Sequence, residues 1–195
     1  MRAFLLPFLL LPLAVLPAQA QEAYALRLTL VHFAGGSWQA EEIAAAAAEA
    51  SKILSQCGIV AGKPELLRAD VETRFRYFHT PTSRELARKL RPRTPAVYFA
   101  DGTRQDPAFD AEAIGRGNSR SRPELQDTVW VMRGARDLGV VLAHELAHVL
   151  MDSGEHSDEP GNLMREETTP ENTGLTATQC ARLRDTAFAN GLLSR

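Results

Sequence analysis

His144-Glu145-Leu146-Ala147-His148, with His156 and Met164 downstream, is where residue type and spacing in this chain could do chemistry. Three of its five histidines fall within residues 144–156. The segment otherwise reads as a buried helix. Leu138, Val141, Leu142, Leu146, Val149 and Leu150 supply the packing, and Asp137 suits the first turn. Unpaired polar groups buried in such a helix cost about 1–3 kcal/mol each. A metal ion would supply a reason to keep them. Residues four apart stand one above the other on a helix face, about 5–6 Å between Cβ atoms. His144 and His148 can therefore aim at one point, and Zn²⁺ binds imidazole nitrogen at about 2.0–2.1 Å. Glu145 sits one residue round, where it can flank the ion without ligating it. Zinc brings the pKa of a bound water to about 7, and a carboxylate there can take that proton and hand it to a leaving amine. The pattern implies one catalytic Zn²⁺ and hydrolysis of peptide bonds. The alternative is an interior helix whose histidines are satisfied by hydrogen bonds.

The stretch from His156-Ser157 to Leu163-Met164 extends the motif. Here the chain resembles the metzincin clan of zinc metallopeptidases, in particular its matrixin-like members. They follow the zinc helix with a Gly, a third His ligand and a Met-containing turn beneath the metal. The resemblance implies His144, His148 and His156 as ligands, Glu145 as the catalytic general base and Met164 as the turn methionine. It also implies an α+β fold of the zincin/metzincin type, with a mixed twisted sheet, a zinc-binding active-site helix, a Met-turn and a C-terminal helix. The chain departs from the family in one place. Met151 stands at the family's Gly position, and His156 comes two residues later than the third ligand should. Asp152-Ser153-Gly154 offers another way out of the helix, since Gly accepts positive φ. The rival third ligand is a carboxylate, as in zincins with two His and one Glu, and Glu155, Glu159, Glu166 and Glu167 are the candidates.

Elements that position these residues can be read along the chain. Leu26–Phe33 reads as a strand with Leu26, Leu28, Leu30 and His32 on one face. Ser37 reads as the cap of an alanine-rich helix through Glu41–Gln56, ended by Cys57-Gly58. Strands are expected around Glu65–Arg68 and Val71–Tyr77, a short helix over Ser83–Leu90, and strands over Ala96–Ala100 and Val129–Met132. Arg133-Gly134 turns into the zinc helix, and a last helix runs from Leu175-Thr176 to Asn190-Gly191. That order is similar to the metzincin catalytic domain. In the family an edge strand pairs with extended substrate, and Ala113–Gly117 is its counterpart here or else a surface loop. Tyr77 and Tyr98 are candidates to stabilise an oxyanion, although no spacing selects either. His32 and His79 read as structural histidines, and Arg84, Arg88, Lys89, Arg91 and Arg93 as a solvated helix face.

The start of the chain sets the expected compartment. A short basic stretch with Arg2, the apolar run Phe4–Leu16 and Ala18-Gln19-Ala20 read as a signal peptide over residues 1–20. The run is short and broken by Pro7 and Pro12, which disfavours a membrane span. Residues 21–195 then form a single zinc metallopeptidase-like domain, secreted or periplasmic, with no stable membrane insertion and read as a monomer. Losing Arg2 takes the 22 Lys and Arg to 21 against 24 Asp and Glu, a net charge of −3. That balance argues against nucleic acid as a partner. The two cysteines, Cys57 and Cys180, read as one disulfide between the ends of the first and last helices. The leading reading is an exported zinc endopeptidase acting on peptide or protein. The alternatives are a zinc amidase acting on cell-wall peptide and a non-catalytic zinc-binding interaction domain.

Overall fold

A computed structural model describes residues 23–104 and 123–195. The expected signal peptide and the candidate edge strand at 113–117 lie outside the described residues. In chain order the elements are β1 (Tyr24–Leu26), β2 (Thr29–Phe33), α1 (Ala40–Leu54), β3 (Ile59–Ala61), β4 (Glu65–Ala69), β5 (Tyr77–Phe78), α2 (Thr80–Leu90), β6 (Ala96–Ala100), β7 (Gly102–Thr103), β8 (Thr128–Met132), α3 (Leu138–Met151), α4 (Ala177–Ala189) and β9 (Leu193–Ser194).

The central sheet has the order β4-β2-β6-β8, and every pairing in it is parallel. A mixed sheet was expected. Mixed pairing occurs instead in a small second sheet, β3-β1-β9, where β1 runs parallel to β3 and antiparallel to β9. Parallel sheets are covered on both faces, so their strands read as continuous apolar runs rather than alternating ones. Ala96–Ala100 and Thr128–Met132 are buried at every position. Their side chains divide by parity. Leu30, Val97, Phe99, Val129 and Val131 join the cluster shared with α1, α3 and α4. Val31, Phe33, Tyr98, Trp130 and Met132 join the opposite cluster with α2 and Phe75.

Three local expectations are corrected. The run Leu26–Phe33 is two strands, because β1 leaves the central sheet to pair with β3 and β9. The first helix is capped by Gln39, whose N–H donates to Glu42 at 2.9 Å, while Ser37 gives its N–H and hydroxyl to Asp101. Val71–Tyr77 is mostly a 3₁₀ turn over Thr73–Arg76 that buries Phe75. Apolar residues there satisfy one buried point rather than a sheet face.

Helix α3 follows β8 after a short connection. Its N-cap, Asp137, adopts a left-handed conformation (φ 47°), and its carbonyl accepts from the N–H groups of Val140 and Val141. A Cβ at Gly139 would collide with the Glu49 side chain, so glycine lets α1 lie close against α3.

Cys57 and Cys180 form a disulfide across 123 residues of sequence, tying the 3₁₀ turn after α1 to α4. Constraining so long a loop stabilises by about 2–4 kcal/mol in the chain-entropy account. Replacing both cysteines by alanine is expected to lower Tm by roughly 5–15 °C, given about 2–4 °C per kcal/mol for a domain of this size. Calorimetry checks this, and an unchanged Tm would contradict a stabilising crosslink.

Candidate metal centre

The site is built on the second half of α3, whose apolar face is packed between α1, α4 and the central sheet. His144 and His148 are buried, and Glu145 between them is half-buried. Nδ1 of His144 donates to the Leu163 carbonyl at 2.7 Å, and Nδ1 of His148 donates to the Ser153 carbonyl at 2.7 Å. A carbonyl can only accept, so each neutral ring carries its proton on Nδ1 and a lone pair on Nε2. The two Nε2 atoms face each other at 2.9 Å, and Nε2 of His156 lies 3.3 Å from that of His148. Two lone pairs cannot hydrogen-bond to each other. A cation between them resolves the conflict, and a tetrahedral ion with bonds of about 2.0–2.1 Å would hold its nitrogens roughly 3.3 Å apart. The donor set therefore fits zinc. Burial holds the His144 imidazole below its ordinary pKa, which keeps it in the neutral form a metal requires.

The loop from His148 to His156 leaves α3 at Asp152. Met151 stays helical and buried, and Asp152 takes the chain out of the helix in a left-handed conformation (φ 46°). Ser153 then returns its N–H to the His148 carbonyl at 3.1 Å. His156 is exposed, which opens one side of the three-histidine cluster to solvent. Among the described residues these histidines are the group that converges, with ligand atoms within 4.8 Å of one another. The carboxylate rivals do not join them. Glu155 is paired with Arg182 at 2.7 Å, and Glu159 lies 3.4 Å from Asn162.

Met164 is buried in the cluster that holds α3 and α4, and its carbonyl accepts from the Ser157 N–H at 2.8 Å, tying the turn to the loop of His156. Residues not legible as functional in the sequence also appear here. Asn162 bonds both to the Met164 N–H and to Gln179 of α4. Gln56, in the 3₁₀ turn after α1, holds residues 173 and 175. An amide side chain carries no chemical signature of its own, so nothing in the spacing marked them.

The remaining candidates fall elsewhere. His32 bonds to the Trp38 carbonyl and His79 to Thr82. Arg84 and Arg88 are paired with Glu124, so the basic face of α2 is partly neutralised. Tyr77 lies under Arg104 on β5. Tyr98 is on the sheet face opposite the α3 cluster, stacked on Trp130 at 4.1 Å, with its hydroxyl buried and without a partner among the described residues. An oxyanion role for Tyr98 is excluded by that placement. Because its hydroxyl makes no bond among the described residues, Tyr98→Phe is expected to leave stability unchanged or raise it by about 1 kcal/mol. Denaturant unfolding reads this out, and a clear loss would reveal a partner for the hydroxyl.

No sequence-family model matches the chain, and no curated protein sequence does. Its fold is nonetheless similar to those of two solved structures, an archaemetzincin and a metalloproteinase. Archaemetzincin from Methanopyrus kandleri superposes with a TM-score of 0.57 at 13% identity, over 89% of this chain and 99% of that one. Metalloproteinase-II from Bacteroides fragilis superposes with a TM-score of 0.51 at 17% identity, over 86% of this chain and 55% of that one. The chain thus spans about half the length of the second protein. The comparisons show a fold similar to that of archaemetzincin, and on that fold this chain carries a three-histidine cluster whose donor set fits zinc.

Proposed function

We propose that this protein is a zinc-dependent endopeptidase. The observation that carries the reading is the convergence of three Nε2 atoms, two with their tautomers set by backbone carbonyls, beside a half-buried glutamate on a zinc-peptidase fold. His144, His148 and His156 would hold the ion. When bound, zinc supplies Lewis acidity toward the scissile carbonyl and acidifies water beside it. Glu145 is one helical position from His144 and takes the proton from the attacking water, then returns it to the leaving amine. Burial of His144 and His148 excludes water from the inner side of the site, so attack comes from the open side near His156. Met164 serves as the turn methionine that floors the site.

The substrate class in this reading is extended peptide or protein. The matrixin-like likeness and the leader-like residues 1–20 support export to the periplasm or outside the cell. The disulfide fits an oxidising compartment, and no helix among the described residues is long and apolar enough to cross a membrane. The zinc-loaded protein is expected to cleave members of a mixed peptide library and to lose that activity to a chelator. Zinc-saturated protein that cleaves nothing in the library would shift the reading to the non-catalytic binding domain.

A further inference from the structure

Leu163 and Met164 share one planar peptide unit, and both of its edges are engaged. The carbonyl edge accepts from His144 Nδ1 at 2.7 Å, and the N–H edge donates to Oδ1 of Asn162 at 2.9 Å. Because the unit is rigid, the bond on one edge sets the direction of the other. Asn162 is only 4% exposed and is itself held by a reciprocal amide pair. Its Nδ2 donates to Oε1 of Gln179 at 2.9 Å, and Nε2 of Gln179 donates to its Oδ1 at 3.1 Å. Gln179 Oε1 also accepts from the Thr176 N–H at 2.8 Å, which makes it part of the N-terminal cap of α4. The next residue, Cys180, is anchored by the disulfide to Cys57.

We propose that the Asn162–Gln179 amide pair is a positioning device for the metal centre: it locks the 163–164 peptide so that His144 presents its Nε2 lone pair to the ion. The inference rests on the zinc-site reading above. It adds that α4, which contributes no ligand, sets the tautomer and orientation of His144 through one peptide plane. The N–H bond to Asn162 also polarises that peptide, which makes its carbonyl a better acceptor and His144 a stronger ligand. Outer residues of this kind tune metal sites nearly as much as ligands do.

The test is zinc affinity of the full chain, measured by competition with a chromophoric chelator, together with the visible spectrum of the cobalt-substituted protein. Asn162→Leu and Gln179→Met are each expected to weaken zinc binding by about 10–100-fold and to alter the cobalt bands. The double variant should be no weaker than the worse single one, because both changes break the same unit. Asn162→Asp keeps an acceptor for the Met164 N–H but sets a carboxylate oxygen against Gln179 Oε1, so it is expected to weaken zinc binding less than Asn162→Leu does, and it serves if the leucine variant does not fold; parental affinity in it would count against the pair. Ala187→Gly, further along α4, lowers helix stability without touching the pair and should leave affinity and spectrum unchanged. Folded Asn162→Leu or Gln179→Met protein with parental zinc affinity would overturn the proposal. So would affinity loss matched by Ala187→Gly. None of these readouts needs peptide cleavage, so a failure here is distinct from a failure of the peptidase reading.

Discussion

Replacing Glu145 by glutamine is expected to leave a folded protein that binds one zinc ion and hydrolyses peptide about 10²–10⁴-fold more slowly, the usual contribution of a positioned general base. The argument is geometric. His144 and His148 point their Nε2 atoms at a common point, 2.9 Å apart, and Glu145 projects one helical position round from that axis. Glutamine preserves size and most packing while removing the ability to accept and return a proton. The ligand set is untouched, so metal content measured by mass spectrometry should be unchanged. Steady-state rates on a fluorogenic peptide check the loss. Retained turnover would remove Glu145 from the mechanism, and loss of zinc along with activity would make it a structural support of the site.

Stripping the metal is expected to destabilise the fold by several kcal/mol. Two buried imidazoles, each protonated on Nδ1 by its bond to a carbonyl, leave facing lone pairs that a bound cation reconciles without charging a buried ring. A ligand that binds the native state alone stabilises it by about 4 kcal/mol when free ligand exceeds Kd a thousandfold. For a domain of this size that corresponds to roughly 8–16 °C in Tm. Calorimetry with zinc and with excess chelator reads the difference. His148→Ala should erase the difference, because it removes the ligand shared by both short nitrogen contacts. A Tm insensitive to zinc in the parent protein would argue that the three histidines do not form a binding site.

Both expectations start from residues that the sequence singled out. The spacing of His144 and His148 is a statement about helix geometry, and the apolar positions around them settle which side of the helix faces the core. Local patterns decide such features because the interacting groups lie within two turns of each other. The strands over 96–100 and 129–132 and the final helix were equally legible, since their apolar runs and cap residues are local as well. Cysteine count and compartment pointed to the Cys57–Cys180 bond, and the structure contains it.

What depended on distant parts of the chain was not legible. Sequence left the third position open between His156 and four carboxylates; that His156 lies beside His144 and His148 depends on the left-handed turn at Asp152 and the course of the loop after it. The central sheet is parallel through pairings between strands far apart in the chain, which no single strand reveals. Tyr98 looked available for chemistry, yet the parity of β6 puts it on the face away from α3. The deepest gap concerns His144 and His148 themselves. Sequence by itself determined that two imidazoles share a helix face beside a carboxylate. Tertiary structure decided which nitrogen each offers, because the Leu163 and Ser153 carbonyls that hold the protons are backbone groups. Every residue carries one, and only the fold directs these two at the histidines.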